Sequence, residues 1–487
     1  MKPAPTPSDE KEPMNKRATV ILLAFSQATY AGQVTSSGDH RTSVAVTVYN
    51  DGRGLVREER NIDLAAGMNE VRFMDVAEQI QAPTVRVAPI EGAPFNVLEQ
   101  NYEYDLLSPA KLLDKFVGQT ITLVQQKMMN NSTVDEAVEA KLLSNNAGTV
   151  WEIGGKIVIN PPYSRIIFPN VPENLIAKPT LVWQIGAPTA GKRKIEASYI
   201  TGGMQWSADY VLSLDPTEER GGLQGWVTIN NSSGASYKDA RLKLVAGDVH
   251  KAQANQPQLL GRMRAAEMSM AKQNFAEESL FEYHLYTLDR PSTIKNAQTK
   301  QIQLIQAEGI RINKDYVLNG GTQYFQSVWS GPAAKEKIAV FISFKNSEAT
   351  PGLGQPLPKG IVRVFKKDRS GSPQLIGEDN IDHTPRNEDI KLELGNAFDI
   401  VAERRQTDFR HLTARPGTVY ESAHEIKLRN QKDTPVTVRV VEPLGGEWTM
   451  VETSIPNRKT AAFESQWDVP VPAGGETILT YRVRVKY

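Results

Sequence analysis

No cysteine occurs anywhere in the 487 residues. That absence excludes thiol nucleophiles, thiolate metal sites and disulfide exchange, and it leaves stability to buried apolar surface. An excess of charge of either sign is also missing: 56 Lys and Arg stand against 56 Asp and Glu. Removing residues 1–31, with four basic and three acidic groups, leaves 52 against 53. Nucleic acid and anionic membranes need a clustered positive field, so neither is the expected partner. Basic runs such as Lys192-Arg193-Lys194 and Lys366-Lys367 are short enough to be solvated strand ends. Histidine is scarce, with six widely spaced residues, and no apolar run reaches the roughly 20 residues that cross hydrocarbon.

What is present begins with an export signal. From Met14 the chain reads Asn15-Lys16-Arg17, an apolar core over 18–25 (ATVILLAF), and a polar stretch with small residues up to Ala31. A basic start, a short apolar core and small residues at cleavage spacing form a secretory signal peptide. Cleavage is expected after Ala31, with Thr29 two positions earlier; Ala28, with Ser26, offers the alternative. Met14 is then the start of the precursor, and residues 1–13 are a polar, proline-rich extension. The expected location is periplasmic or secreted.

The remainder alternates apolar and polar residues with Gly, Asn or Pro at the ends, which predicts a mostly β chain of sandwich and small-barrel units. Residues 44–49, the turn Asn50-Asp51-Gly52 and residues 55–60 read as a hairpin. Ser108-Pro109 predicts the start of a short helix ending near Gly118, and the short strands over 118–168 suit a small closed barrel or an insert within the first β domain. Three later segments end a strand on asparagine, at Asn230, Asn346 and Asn430, whose side chain can bond a turning backbone. The stretch 256–281, rich in Ala, Met, Gln and Glu, reads as a helical or loosely ordered insertion. Strands at 425–430, 435–441, 448–452, 463–469 and 476–485 predict a C-terminal immunoglobulin-like sandwich with Trp448 and Trp467 in its core. The expected organisation is 1–31 extension and signal, 32–195 N-terminal β domain with the barrel-like insert, 196–405 central sandwich, and 406–487 C-terminal sandwich.

Several segments, in order, carry a family resemblance: 46–52 (VTVYNDG), 98–107 (LEQNYEYDLL), 181–183 (LVW), 199–210 (YITGGMQWSADY), 243–249 (KLVAGDV), 281–286 (FEYHLY) and 360–365 (GIVRVF). Together they resemble bacterial proteins carrying domain of unknown function 4139, related to the C-terminal region of mucoidy inhibitor-like proteins. The resemblance implies an exported, β-rich envelope protein and assigns no catalytic residues. The mucoidy type also carries a long coiled coil, and no sustained heptad pattern is present here.

Motifs that carry chemistry are few. Residues 186–192 (GAPTAGK) have the spacing of a phosphate-binding loop, but Arg193 stands where Ser or Thr should, and a strand follows where a helix should. No Gly-x-Ser-x-Gly or His-Glu-x-x-His motif occurs. The polar residues worth following are Asp379, Asp382 and His383 in one acidic turn, His284 in an aromatic strand, and Asp248. Carboxylates beside histidine can hold a divalent cation or share a proton, but a solvated turn between strands is the favoured reading of the acidic cluster, and a hydrogen-bonded, partly buried histidine that of His284. The residues call for no cofactor and assign no metal site or catalytic set. The expected function is a non-catalytic exported protein that binds or scaffolds cell-envelope components, its partner an envelope protein or glycan. A hydrolase with a dispersed carboxylate site is the alternative, since a glycosidase needs only two carboxylates at the right separation. A surface adhesin is the third reading.

Overall fold

The computed structural model describes residues 32–129, 132–172, 175–247, 275–280, 283–329, 331–413 and 417–487. The expected export signal with Ala31, Asp248, and most of the 256–281 stretch therefore lie outside the described residues. The described part of that stretch, Phe275–Leu280, is a strand rather than a helix. It pairs antiparallel with Tyr283–Leu288.

The described residues form a mostly β protein of several sheets, with one α-helix, Pro109–Lys115. Strand formation follows the alternation. In Arg53–Leu64 every second side chain from Val56 onward is buried, and the turn before it uses Gly52 at φ 88°. Two sheets enclose the N-terminal half. One has the order Gly32–Ser36, Gly67–Met74, Thr180–Ala187, Asn96–Glu103. The other runs through Arg41–Tyr49, Arg53–Leu64, Gly191–Gly202 and Arg86–Glu91. Arg41–Tyr49 also accepts Tyr237–Ala246 as a parallel neighbour, Leu242 opposite Val46 and Leu244 opposite Val48. This pairing carries one apolar core from Val46 and Trp183 into Trp206, Leu244, Val364 and Leu392. The central sheet, ordered Gln298–Arg311, Arg220–Asn231, Met204–Leu214, Gly360–Lys367, Pro373–Ile381, contributes Trp206, Val227 and Val364 to that core. Each fully buried Val or Leu contributes about 1.5–3 kcal/mol relative to exposure, so the shared core binds the two halves into one body.

The insert over 118–168 is an open five-stranded sheet, not a closed barrel: Lys156–Ile159 and Arg165–Ile167 are its two free edges. The helix Pro109–Lys115 covers it, with Leu112 and Leu113 packed against Phe116, Leu123 and Trp151. Ser108 caps that helix by accepting from the Lys111 amide at 3.2 Å. Residues 186–192 are a loop that crosses from Thr180–Ala187 in one sheet to Gly191–Gly202 in the other, not a hairpin, and Arg193 donates to the Thr189 carbonyl at 2.9 Å. No helix opens there, so the loop has no phosphate-binding amides.

The C-terminal unit is a nine-stranded sheet folded over its own core, in which Trp467 is fully buried and packs on Tyr481 at 4.8 Å. Trp448 is half-buried against the same core. The unit recruits Asn313–Asn319, Ala334–Lys345 and Asp389–Thr413, all upstream of the 406 boundary or across it. Likewise Gly191–Gly202 runs through the 195/196 boundary. Ala334–Lys345 and Asp389–Thr413 each put residues into both cores, Ile342 and Leu392 into the first and Ile338 and Ala402 into the C-terminal one.

Three asparagines close strands in the same way. Asn231, Asn346 and Asn430 are buried, and each Nδ2 donates to two backbone carbonyls, one in its own turn or loop and one further along the chain. For Asn430 these are Thr434 at 2.9 Å and Pro472 at 3.1 Å, while its Oδ1 accepts from the Lys432 amide. Asn430→Ala leaves those groups unpaired and is expected to cost about 1–3 kcal/mol. Urea unfolding measures it; an unchanged midpoint would show that water replaces the side chain.

Candidate functional site

The structure places the sequence-derived polar residues in separate fastening roles. His284 is half-exposed, with Nδ1 2.7 Å from Glu277 Oε1 on the paired strand, and Arg386 reaches the other Glu277 oxygen at 3.5 Å. Asp379 accepts the backbone amides of Asn380 and Glu393, each at 2.8 Å, which ties the edge strand Pro373–Ile381 to Asp389–Thr413. The Asp382 carbonyl accepts from the Thr384 hydroxyl, and His383 Nδ1 accepts from the Lys359 amide at 3.3 Å. None of the hydrogen bonds of Asp379 or Asp382 reaches His284. Among the described residues, no three His, Asp or Glu side chains are grouped to hold a metal ion.

A pocket of about 730 Å³ opens elsewhere, where the N-terminal sandwich meets the turn before Tyr237–Ala246. Four stretches distant in sequence build it: 38–44, 75–78, 177–179 and 234–239, with Leu106 beside them. Asp75 and Asp239 sit in the left-handed region, at φ 61° and 49°, which aspartate tolerates better than most side chains. Gly234, at φ 91°, is required outright: a Cβ there would lie 2.3 Å from Glu78 Cγ. Asp75 accepts the Gly38 amide at 2.8 Å and pairs with Lys178. Burial works to raise its pKa, but Lys178 and the Gly38 amide together outweigh it and hold the carboxyl below its ordinary value.

Behind Arg41, which lines the pocket, lies a buried charge centre. Glu58 and Arg60 are fully buried. Glu58 Oε2 takes Arg41 Nε at 2.6 Å and Arg60 Nη2 at 2.8 Å, and Oε1 takes the Tyr199 hydroxyl at 2.9 Å. Arg60 also donates to the Ser36 carbonyl at 2.7 Å and lies 3.5 Å above the Phe73 ring. Burial lowers the Arg60 pKa, and burial together with Glu58 pushes that of Tyr199 well up, so Tyr199 stays a donor. Both oxygens of Glu58 are thus engaged.

Residues 195–487, more than half of the chain, match the family described as Domain of unknown function (DUF4139). The chain belongs to that family. No curated protein matches the sequence. The DUF4139 region supplies only the 234–239 wall of the pocket; Arg41, Asp75 and Lys178 come from the part preceding it. The site is therefore a seam between the family region and the N-terminal half.

The DUF4139 region contains a second buried centre in its C-terminal core. Arg404 and Glu442, both fully buried, pair with each other. Arg404 also reaches Glu336 at 2.8 Å and Tyr481 Oη at 3.3 Å, with its guanidinium 4.7 Å from the Tyr324 ring. Beside it His424 stacks on Tyr481 at 5.3 Å and meets Phe325 edge-on at 5.1 Å. Burial, aided by Arg404, lowers the His424 pKa to about 3. The unfolded chain binds a proton near pH 6.5 that the fold refuses until about 3, so stability is lost as pH falls through that window. At its steepest the slope is about 1.4 kcal/mol per pH unit from this one residue. Unfolding followed from pH 7 to pH 5 should show it, and His424→Phe, flat between the same rings, should remove that part of the slope.

Sequence reasoning did not reach the pocket, whose residues lie on turns and strand ends brought together by the sheets. The charges behind it had a visible signal. Glu58 and Arg60 occupy inward positions of an alternating strand, between Val56 and Ile62.

Proposed function

We propose that this protein is exported and acts as a non-catalytic binding or scaffolding protein of the cell envelope, with the seam pocket holding its ligand. The carrying observation is the pocket itself: a polar cleft of about 730 Å³, with Glu58, the carboxylate behind its Arg41 wall, engaged through both oxygens. A general acid needs a carboxyl whose pKa is raised toward working pH. Asp75 is shifted the other way, so it serves to hold the pocket wall rather than to donate a proton. The signal from Met14 to Ala31 supports export, and the cysteine-free β cores suit a protein folding outside the cytoplasm.

The hydrolase reading retains one observation in its favour, the carboxylates Asp39, Glu78 and Asp239 around one opening. Purified protein assayed on peptidoglycan, glycan and peptide substrates separates the two. Binding without product is expected; steady turnover abolished by a single carboxylate substitution would replace the binding reading with the hydrolase. N-terminal sequencing of the protein recovered from its host should start at Gly32 or Thr29. A start at Met1 or Met14 would remove export from the proposal.

A further inference from the structure

The pocket carries charge of both signs, and the two signs are placed differently. Asp39, Glu78 and Asp239 stand at exposed positions on its rim, and none has an ion pair among the described residues. Lys178 is matched by Asp75. Arg41 is not fully matched, because its partner Glu58 is shared with Arg60. The trio holds two guanidinium groups and one carboxylate. Arg60 is sealed beneath Phe73 and Ser36, so the surplus positive charge faces the pocket through Arg41. Arg41's remaining bonds, to the Ser236 carbonyl at 3.3 Å and the Asp75 carbonyl at 3.4 Å, are long enough for a better acceptor to replace.

Resting on the pocket reading above, we infer that the ligand is a zwitterionic amino acid or short peptide, its ammonium on the rim carboxylates and its carboxylate toward Arg41. A purely anionic ligand would face three carboxylates without ion pairs, of which Asp239 accepts only the Thr293 hydroxyl at 3.3 Å among the described residues, and a purely cationic one would face Arg41 and Lys238. A neutral sugar would leave both sets uncompensated and would find no aromatic ring in the lining to stack on. Charge-assisted hydrogen bonds of this kind discriminate by roughly tenfold or more when one partner is removed.

Isothermal titration of the full mature chain tests this with alanyl-alanine, its N-acetyl form, its C-terminal amide and a neutral disaccharide. The free dipeptide should bind, with each blocked form about tenfold weaker. Asp239→Asn, which keeps a side chain that tolerates the left-handed backbone, should weaken the free dipeptide and the amide but not weaken the N-acetyl form further. Equal binding of all three peptides would overturn the zwitterion while leaving the pocket in place. So would tight binding of the disaccharide that is lost when Thr42→Trp fills the pocket. Heat from no probe, or heat unaffected by Thr42→Trp, would overturn both the zwitterion and the pocket.

Discussion

Arg404→Met should lower the unfolding free energy by about 3–5 kcal/mol, because it strands a buried carboxylate rather than merely removing a contact. Glu442 has no exposure at all and lies against Gly320, where a Cβ would collide with its Oε2. Burial already raises the Glu442 pKa against the pull of Arg404, so the variant answers by taking up a proton, which caps the loss. Glu336 and the Tyr324 hydroxyl, 2.9 Å apart, would stay paired at the edge of the gap. Replacing both charges together, Arg404→Met with Glu442→Leu, should recover most of the loss, since a buried ion pair barely outperforms well-packed apolar side chains. Urea unfolding monitored by Trp467, packed on Tyr481, reads both variants. A double variant as unstable as the single one would mean that packing, not charge, governs this centre.

Glu58→Leu is the second large effect, again about 3–5 kcal/mol. It leaves Arg60 with only the Ser36 carbonyl and the Phe73 face, and leaves the Tyr199 hydroxyl without its acceptor. The consequence reaches the pocket. Arg41, released from its 2.6 Å bond, loses the anchor that holds it in the pocket wall. Ligand affinity should therefore fall together with stability, whereas Arg404→Met, in a separate core, should leave affinity unchanged in the folded protein. Titration of both variants well below their melting temperatures checks this contrast.

Much of the fold was legible because strand alternation is local. The hairpin around Gly52, the capped helix after Ser108 and the last strands of the chain all stand where alternation and turn residues put them. The asparagine signal was legible as well, shifted by one residue at Asn231, where Asn230 instead accepts the Thr299 hydroxyl. Pairing between distant strands was not legible. Nothing in 237–246 announces that it will lie parallel to 41–49, and that pairing both builds the pocket and joins strands from either side of residue 195. Short strands look alike in a closed barrel and in an open insert; only the unpaired edges at 156–159 and 165–167 distinguish them. The side chains of His284, Asp379 and His383 are chemistry-bearing types, yet they bond backbone amides or a neighbouring strand. The pocket instead rests on inward charges, Glu58 and Arg60, which alternation exposes once charged residues are counted at core positions.

The central claim is that the seam pocket binds rather than reacts, and saturation-transfer NMR tests it most directly. Soluble envelope fragments would be mixed with the full mature chain and with Thr42→Trp, whose ring fills an exposed pocket position without touching a buried charge. The account predicts transfer to at least one fragment by the natural protein, its loss in the variant at an unchanged unfolding midpoint, and no new product in the tube. Transfer that survives Thr42→Trp, or a fragment consumed during the measurement, would contradict it.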